Sequence, residues 1–161
     1  LVIASSCSKN FGLYRERTGS ITFIAETPEH ADIVLSQAMS TARSFYSMPP
    51  AHGALLVSMV LGDDQLRAHW QAELETTRLR IKSMRTLLCD SIQDNEAGLD
   101  FSHIKEQKGM FSFLGITSLQ LERLRDEFGI YIVSSTRINL AGVNSNNIDY
   151  LSQSMLRVLK P

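Results

Sequence analysis

A lysine set in a hydroxyl- and glycine-rich stretch, Ser5-Ser6-Cys7-Ser8-Lys9-Asn10-Phe11-Gly12, with an arginine at Arg17 ahead of Gly19, has the parts of a covalent amine site. A lysine amine attacks an aldehyde only when neutral, so such a site relies on burial or on a nearby positive charge to favour that form. Leu1-Val2-Ile3-Ala4 supplies an apolar approach and Arg17 a charge. Two further arginines stand in unusual settings. Arg137 interrupts the strand-like run Ser135-Thr136-Arg137-Ile138-Asn139-Leu140-Ala141-Gly142, and Arg43 ends a helical pattern ahead of Phe45-Tyr46-Ser47-Met48-Pro49-Pro50. A planar guanidinium suits a bidentate grip on a carboxylate. Read from the residues alone, each has a plainer alternative: Arg17 paired with Glu16, Arg137 in a structural salt bridge, and Arg43 as an exposed helix-end arginine.

The string Ser-x-x-Lys-Asn-Phe-Gly-Leu-Tyr-x-Glu-Arg-x-Gly, from Ser6 to Gly19, resembles the cofactor-lysine segment of aspartate aminotransferases, the class I branch of the fold-type I pyridoxal-phosphate enzymes. Arg-x-Asn-x-Ala-Gly from Arg137 to Gly142, and Gly109-Met110-Phe111-Ser112-Phe113, are similar to later segments of the same family, in the same order. The resemblance implies that Lys9 forms the Schiff base with pyridoxal 5'-phosphate and serves as the base in transamination. It further implies that Ser6 and Arg17 hold the phosphate, that Arg137 takes the substrate α-carboxylate with Phe111 packed beside it, and that Arg43 recognises the distal carboxylate. The substrates so implied are aspartate, glutamate, 2-oxoglutarate and oxaloacetate. Because Arg43 would reach the neighbouring subunit's site, the implied assembly is a homodimer with shared active sites. Met48 stands where members commonly have Asn, and Arg15, where Asn is usual, is expected to face solvent.

Two functional readings remain beside that of an aspartate aminotransferase: an aromatic or broad-specificity aminotransferase of the same family, and a non-catalytic C-terminal fragment serving folding and dimer contacts. The isolated chain is expected to be inactive, since the family's carboxylate partner for the pyridine nitrogen precedes the lysine segment.

Elements must position these groups. Leu1 to Ala4 reads as a buried strand and Ser20 to Ala25 as a second strand, with Lys9 in the turn between them. Thr27-Pro28-Glu29 combines an N-cap, a first-turn proline and an acidic first turn, predicting a helix from Pro28 to about Ser44. Ala51 to Leu61 is apolar on all sides and predicts a buried helix ending at Gly62. From Asp63 to about Gln93, Leu66, Trp70, Leu74, Thr77, Ile81, Met84 and Leu88 recur at spacings of three and four. Arg67, Glu73, Arg78, Arg80, Lys82 and Arg85 read as its solvated face. Such a helix spans about 45 Å, long enough to bridge two domains. Beyond it the pattern predicts strands at Ser102 to Ile104, Gly109 to Phe113, Ile130 to Ser134 and Arg137 to Leu140, and helices from Ser118 to Phe128 and from about Asn146 to Leu159.

The expected fold class is α/β, the C-terminal part of a fold-type I pyridoxal-phosphate-dependent transferase. Residues 1–76 would be a piece of the large cofactor-binding domain and residues 77–161 the small C-terminal domain, joined by the long helix. The chain opens on a strand pattern without an initiator methionine, which predicts a preceding N-terminal portion.

Composition narrows the partners. Sixteen basic against seventeen acidic residues leave a formal charge of −1, with no basic stripe, so no nucleic acid is expected. The longest apolar run, Ala54 to Leu61 with one serine, is too short for a bilayer, so no membrane association is expected. Cys7 and Cys89 lie far apart and four histidines lack zinc-ligand spacing, which predicts free thiols and no metal. A cytoplasmic location is expected, with an organellar form left open.

Overall fold

The computed structural model describes residues 1–160. They divide into two compact units, the first Leu1–Leu74 and the second beginning at Glu75. Among the described residues no helix is long and apolar enough to cross a membrane.

The first unit begins with strand β1 (Val2–Ser6), the helical turn α1 (Cys7–Asn10) and strand β2 (Gly19–Phe23). β1 and β2 pair antiparallel, from Val2 opposite Phe23 to Ser6 opposite Gly19. The Lys9 segment is therefore helical where a turn was expected. Ser6 caps it, its hydroxyl oxygen accepting from the Ser8 N–H at 3.2 Å. Helix α2 (Pro28–Tyr46) starts at Thr27, whose hydroxyl accepts from the His30 N–H, and Pro28 lies in the first turn, where its missing N–H costs nothing. Helix α3 (His52–Gly62) follows.

Two expectations of burial fail here. Every residue of β1 is exposed, because a two-stranded ribbon with little packed on it cannot cover its faces. In α3 only Gly53 is buried, while Leu55 and Met59 are 59% and 64% exposed. An all-apolar helix needs neighbours on every side, and the first unit does not provide them.

Helix α4 (Asp64–Gln93) runs unbroken for 30 residues, starting in the first unit and ending in the second. Its start is capped by the Asp63 carboxylate, which accepts from the N–H groups of Gln65 and Leu66 at 2.9 Å. Arg67 pairs with Asp64 and Arg78 with Glu75 on the solvent side, contacts of small energetic weight. Arg85 departs from the expected solvated face: it is 4% exposed.

The second unit adds the short helix α5 (His103–Glu106), strand β3 (Phe111–Phe113), helix α6 (Ser118–Phe128), strand β4 (Arg137–Asn139), a 3-10 turn (Leu140–Gly142) and helix α7 (Ile148–Leu159). β3 and β4 pair antiparallel, with Phe111 opposite Asn139 and Phe113 opposite Arg137. The core joins Leu88 and Ile92 of α4 to Phe101, Ile104, Leu114, Leu124, Leu140, Met155 and Val158. α6 is bounded by a reciprocal capping box between Thr117 and Gln120 and by Gly129, whose φ of 63° is the left-handed closure that glycine adopts without strain.

Two predicted strands are absent. Ser102 to Ile104 enters α5, because Asp100 accepts from the N–H and hydroxyl of Ser102, both at 2.8 Å, and starts a helical turn. Ile130 to Ser134 alternates as predicted, Ile130 and Ile132 packing on the core while Tyr131 and Val133 are exposed. It makes no ladder. Alternation reports which side is buried, not whether a partner strand exists.

Candidate active site

Ser6, Lys9 and Arg17 share one loop. The ladder ends where Ser6 faces Gly19, and the Cys7 N–H donates to the Thr18 carbonyl at 2.9 Å, so the chain from α1 to Arg17 is closed upon itself. The Lys9 ammonium stands 4.2 Å from the centre of the Tyr14 ring, a cation–π contact. Arg17 donates to the Tyr14 carbonyl at 3.1 Å. Tyr14 thus touches both Lys9 and Arg17.

Arg17 is not paired with Glu16. That carboxylate lies 3.1 Å from His52 Nδ1 at the start of α3. The next residue of α3, Gly53, meets the same loop so closely that an added Cβ would overlap Thr18 Oγ1 and Glu16 Cβ. On the other side of the loop, Trp70 of α4 donates its indole N–H to the Asn10 carbonyl at 2.8 Å and stacks on Phe11, with ring centroids 4.5 Å apart. The end of the Lys9 turn is held by a hydrogen bond and an aromatic face together.

Lys9 and Arg17 are both exposed. The expected apolar enclosure by Leu1 to Ala4 does not form, since β1 itself is open. What the loop presents is the Lys9 amine, the Ser6 hydroxyl, bonded at 3.0 Å to that of the buried Ser8, and the Arg17 guanidinium, whose neighbouring carboxylate is engaged elsewhere. That donor set, cationic and hydroxylic with a primary amine, fits a phosphorylated aldehyde: hydroxyl and guanidinium for a phosphate, amine for the carbonyl carbon.

In the second unit, Arg137 opens β4 and its guanidinium carbon lies 4.6 Å from the centre of the Phe111 ring on β3. The two line a groove of about 470 Å³ with Tyr131, Val133, Asn139 and Tyr150. Thr136, just before Arg137, is locked in place: its carbonyl accepts from Leu114 at 3.0 Å and its N–H donates to Val133 at 2.8 Å. The following segment is strapped by Arg80 of α4, which donates to the carbonyls of Ala141 at 3.2 Å and Val143 at 2.9 Å.

Arg43 lies in the last turn of α2 and is exposed, with Ser47 donating its N–H to the Arg43 carbonyl at 2.9 Å. Met48 is 83% exposed and Arg15 is exposed as expected.

One backbone feature runs through all three arginines. Among the described residues, the non-glycine positions with positive φ are Arg17 at 52°, Ser47 at 56° and Thr136 at 62°. Each is a candidate arginine, precedes one, or hydrogen-bonds its carbonyl. Such conformations cost of order 1–3 kcal/mol and concentrate at ligand clamps.

Sequence reasoning missed Arg85, Trp70 and the Glu16–His52 pair as site supports. Arg85 was detectable: four residues after Ile81 and three before Leu88, it falls on the apolar face of α4. No sequence signal pairs Trp70 with Asn10, because a backbone carbonyl carries no residue type.

Among the described residues no cluster of His, Cys, Asp and Glu could hold a metal, and Cys7 and Cys89 are free thiols.

The family model described as aminotransferase class I and II matches residues 1–155. The chain is 50% identical over 159 residues to an aspartate aminotransferase of Haemophilus influenzae, a match covering 99% of this chain and 40% of that protein. Among solved structures, the psychrophilic aromatic amino acids aminotransferase from Psychrobacter sp. B6, cocrystallised with aspartic acid, has a TM-score of 0.92 at 43% identity, covering 100% of this chain and 40% of that one. An aromatic-amino-acid aminotransferase from Burkholderia pseudomallei, covalently bound to pyridoxal phosphate, has a TM-score of 0.89 at 44% identity, covering 99% and 40%. The chain thus spans about 40% of the length of the relatives it matches, and its mixed helix-and-sheet fold is that of the corresponding part of those structures.

Proposed function

This chain belongs to the family of class I and II aminotransferases, and on that premise we propose that it is the cofactor-lysine and C-terminal part of an aspartate aminotransferase, moving an amino group between L-aspartate and 2-oxoglutarate. The observation that carries the reading is the Ser6–Gly19 loop, where the Lys9 amine, the Ser6 hydroxyl and the Arg17 guanidinium, with the adjacent Glu16 carboxylate engaged by His52, are held on a closed stretch of chain. Identity of 50% to an aspartate aminotransferase supports that choice of substrate.

The cofactor is pyridoxal 5'-phosphate, which supplies an electron sink for charge developing on the substrate α-carbon. Lys9 would hold it through the side-chain nitrogen, and the same nitrogen would move the proton at the substrate α-carbon. Arg17 and Ser6 bind the phosphate, countercharge and hydroxyl together replacing the water that a dianion gives up. Trp70 and the packing at Gly53 hold the loop, so these groups need little rearrangement to bind.

From the second unit, Arg137 binds the α-carboxylate. The Phe111 ring, 4.6 Å from its guanidinium carbon, steadies by a cation–π contact a group whose planar fork suits a bidentate clamp. From the end of α2, Arg43 recognises the distal carboxylate in the neighbouring subunit's site, so the working assembly is a homodimer with shared sites. Residues 1–76 act as a piece of the large cofactor-binding domain and residues 77–161 as the small domain.

A second reading, an aromatic or broad-specificity aminotransferase, is favoured by the 0.92 TM-score to an aromatic amino acids aminotransferase that was cocrystallised with aspartic acid. Arg43→Ala in the full-length protein separates the two. Under the aspartate reading kcat/KM falls about a hundredfold for aspartate and stays within about threefold for phenylalanine. Equal losses on both substrates overturn the role of Arg43 and leave the broad-specificity reading.

A further inference from the structure

The second unit buries a cation that the proposed chemistry does not use. Arg85 projects from α4 into the interior. Its Nη1 donates to the Ile104 carbonyl at 2.9 Å and to the Ser112 hydroxyl, and its Nη2 donates to the carbonyls of Gly109 at 2.7 Å and Phe111 at 3.3 Å. Burial pushes its pKa down with no neighbouring carboxylate to oppose the shift. An arginine buried against neutral acceptors gives up hydration without an ion pair in return, and an apolar side chain of similar volume would serve stability as well or better. What the guanidinium provides is geometry, since its planar fork fixes several acceptors at once.

Three of those four acceptors have one thing in common, while the fourth, Ile104, lies on α5. Gly109, Phe111 and Ser112 form the approach to β3 and its first residues, and Ser112 is 1% exposed and lies opposite Ile138, the neighbour of Arg137. The strand so gripped carries the ring that lies against the Arg137 guanidinium. Three residues make a short strand, and a single neighbouring strand gives little resistance to sliding or fraying. Arg85 supplies that resistance from below.

We infer that Arg85 is a positioning residue for carboxylate recognition: by clamping the backbone on both sides of Phe111 and the Ser112 hydroxyl, it fixes the aromatic surface that orients Arg137. This rests on the reading of Arg137 as the α-carboxylate clamp. A lysine at position 85 keeps the charge but reaches fewer of the four acceptors. Ser112→Ala keeps the arginine and removes one acceptor.

The test uses the cofactor-loaded full-length protein with succinate, a four-carbon dicarboxylate, as probe and calorimetric dissociation constants as readout. Arg137→Ala weakens succinate about a hundredfold if the underlying reading holds. Arg85→Lys weakens it about tenfold with Arg137 present and by less than about twofold in the Arg137→Ala background, the signature of one residue acting through the other. Saturating kcat changes less than about twofold, because a grip made equally on ground and transition states appears in KM. Ser112→Ala gives about a threefold loss with the same dependence on Arg137, and its result decides the matter should Arg85→Lys not fold. Wild-type succinate binding by Arg137→Ala overturns the carboxylate reading and this inference with it. A hundredfold loss there, with equal losses or no losses from Arg85→Lys in the two backgrounds, overturns the inference alone.

Discussion

The two units use apolar residues in opposite ways. From Leu88 to Leu159 the second unit collects a continuous core in which Leu88, Ile92, Ile104, Leu124, Leu140 and Met155 are fully buried. Across Leu1 to Leu74 only Ser8 and Gly53 are buried, although that stretch contains the most apolar helix of the chain. Local order is similar in both: each has capped helices and one antiparallel strand pair. The difference teaches that hydrogen-bonded secondary structure and a core are separate achievements, and that the Lys9–Arg17 loop depends on the first while the Arg137 strand also has the second.

The largest test of that contrast is a pair of cavity-forming substitutions in the 161-residue chain. Leu124→Ala empties a site with no exposure and is expected to lower the urea-unfolding free energy of the second unit by about 2–5 kcal/mol. Leu55→Ala, at a side chain already 59% exposed, is expected to change stability by less than about 0.5 kcal/mol. Comparable costs at both positions would break the comparison.

A finer test removes two helix caps. Thr117 caps α6 within a reciprocal box and Thr27 caps α2 with a single bond of 3.2 Å. Thr117→Ala is expected to cost about 1 kcal/mol in the cooperative transition of the second unit. Thr27→Ala is expected to lower helical circular dichroism without moving that transition, because α2 buries nothing that would couple it to a core.

The sequence made some of this legible and hid the rest for physical reasons. α6 was readable to the residue because its signals are local: Thr117 and Gln120 at one end, Gly129 at the other, three-and-four spacing between. α4 was readable for its sustained period. The Lys9–Arg17 loop and Arg137 were legible as motifs, and their surroundings led to the proposed chemistry. Ile130 to Ser134 misled because its alternation is real while its partner strand is missing, and Ser102 to Ile104 because the Asp100 side chain outbids strand pairing for the Ser102 N–H. Burial of β1 and α3 misled because hydrophobicity states a need for cover, and whether neighbours meet it is a property of the whole fold. Arg85 was hidden by its charge: composition assigns arginine to the surface, and only its place on the apolar face of α4 argued otherwise.

The measurement that goes most directly to the central claim is borohydride reduction of the full-length protein in the presence of pyridoxal 5'-phosphate, followed by peptide mapping. The account predicts a single pyridoxyl adduct on Lys9, lost in Lys9→Ala together with all turnover. An adduct on another lysine, or transaminase activity surviving in Lys9→Ala at the wild-type rate, would contradict it.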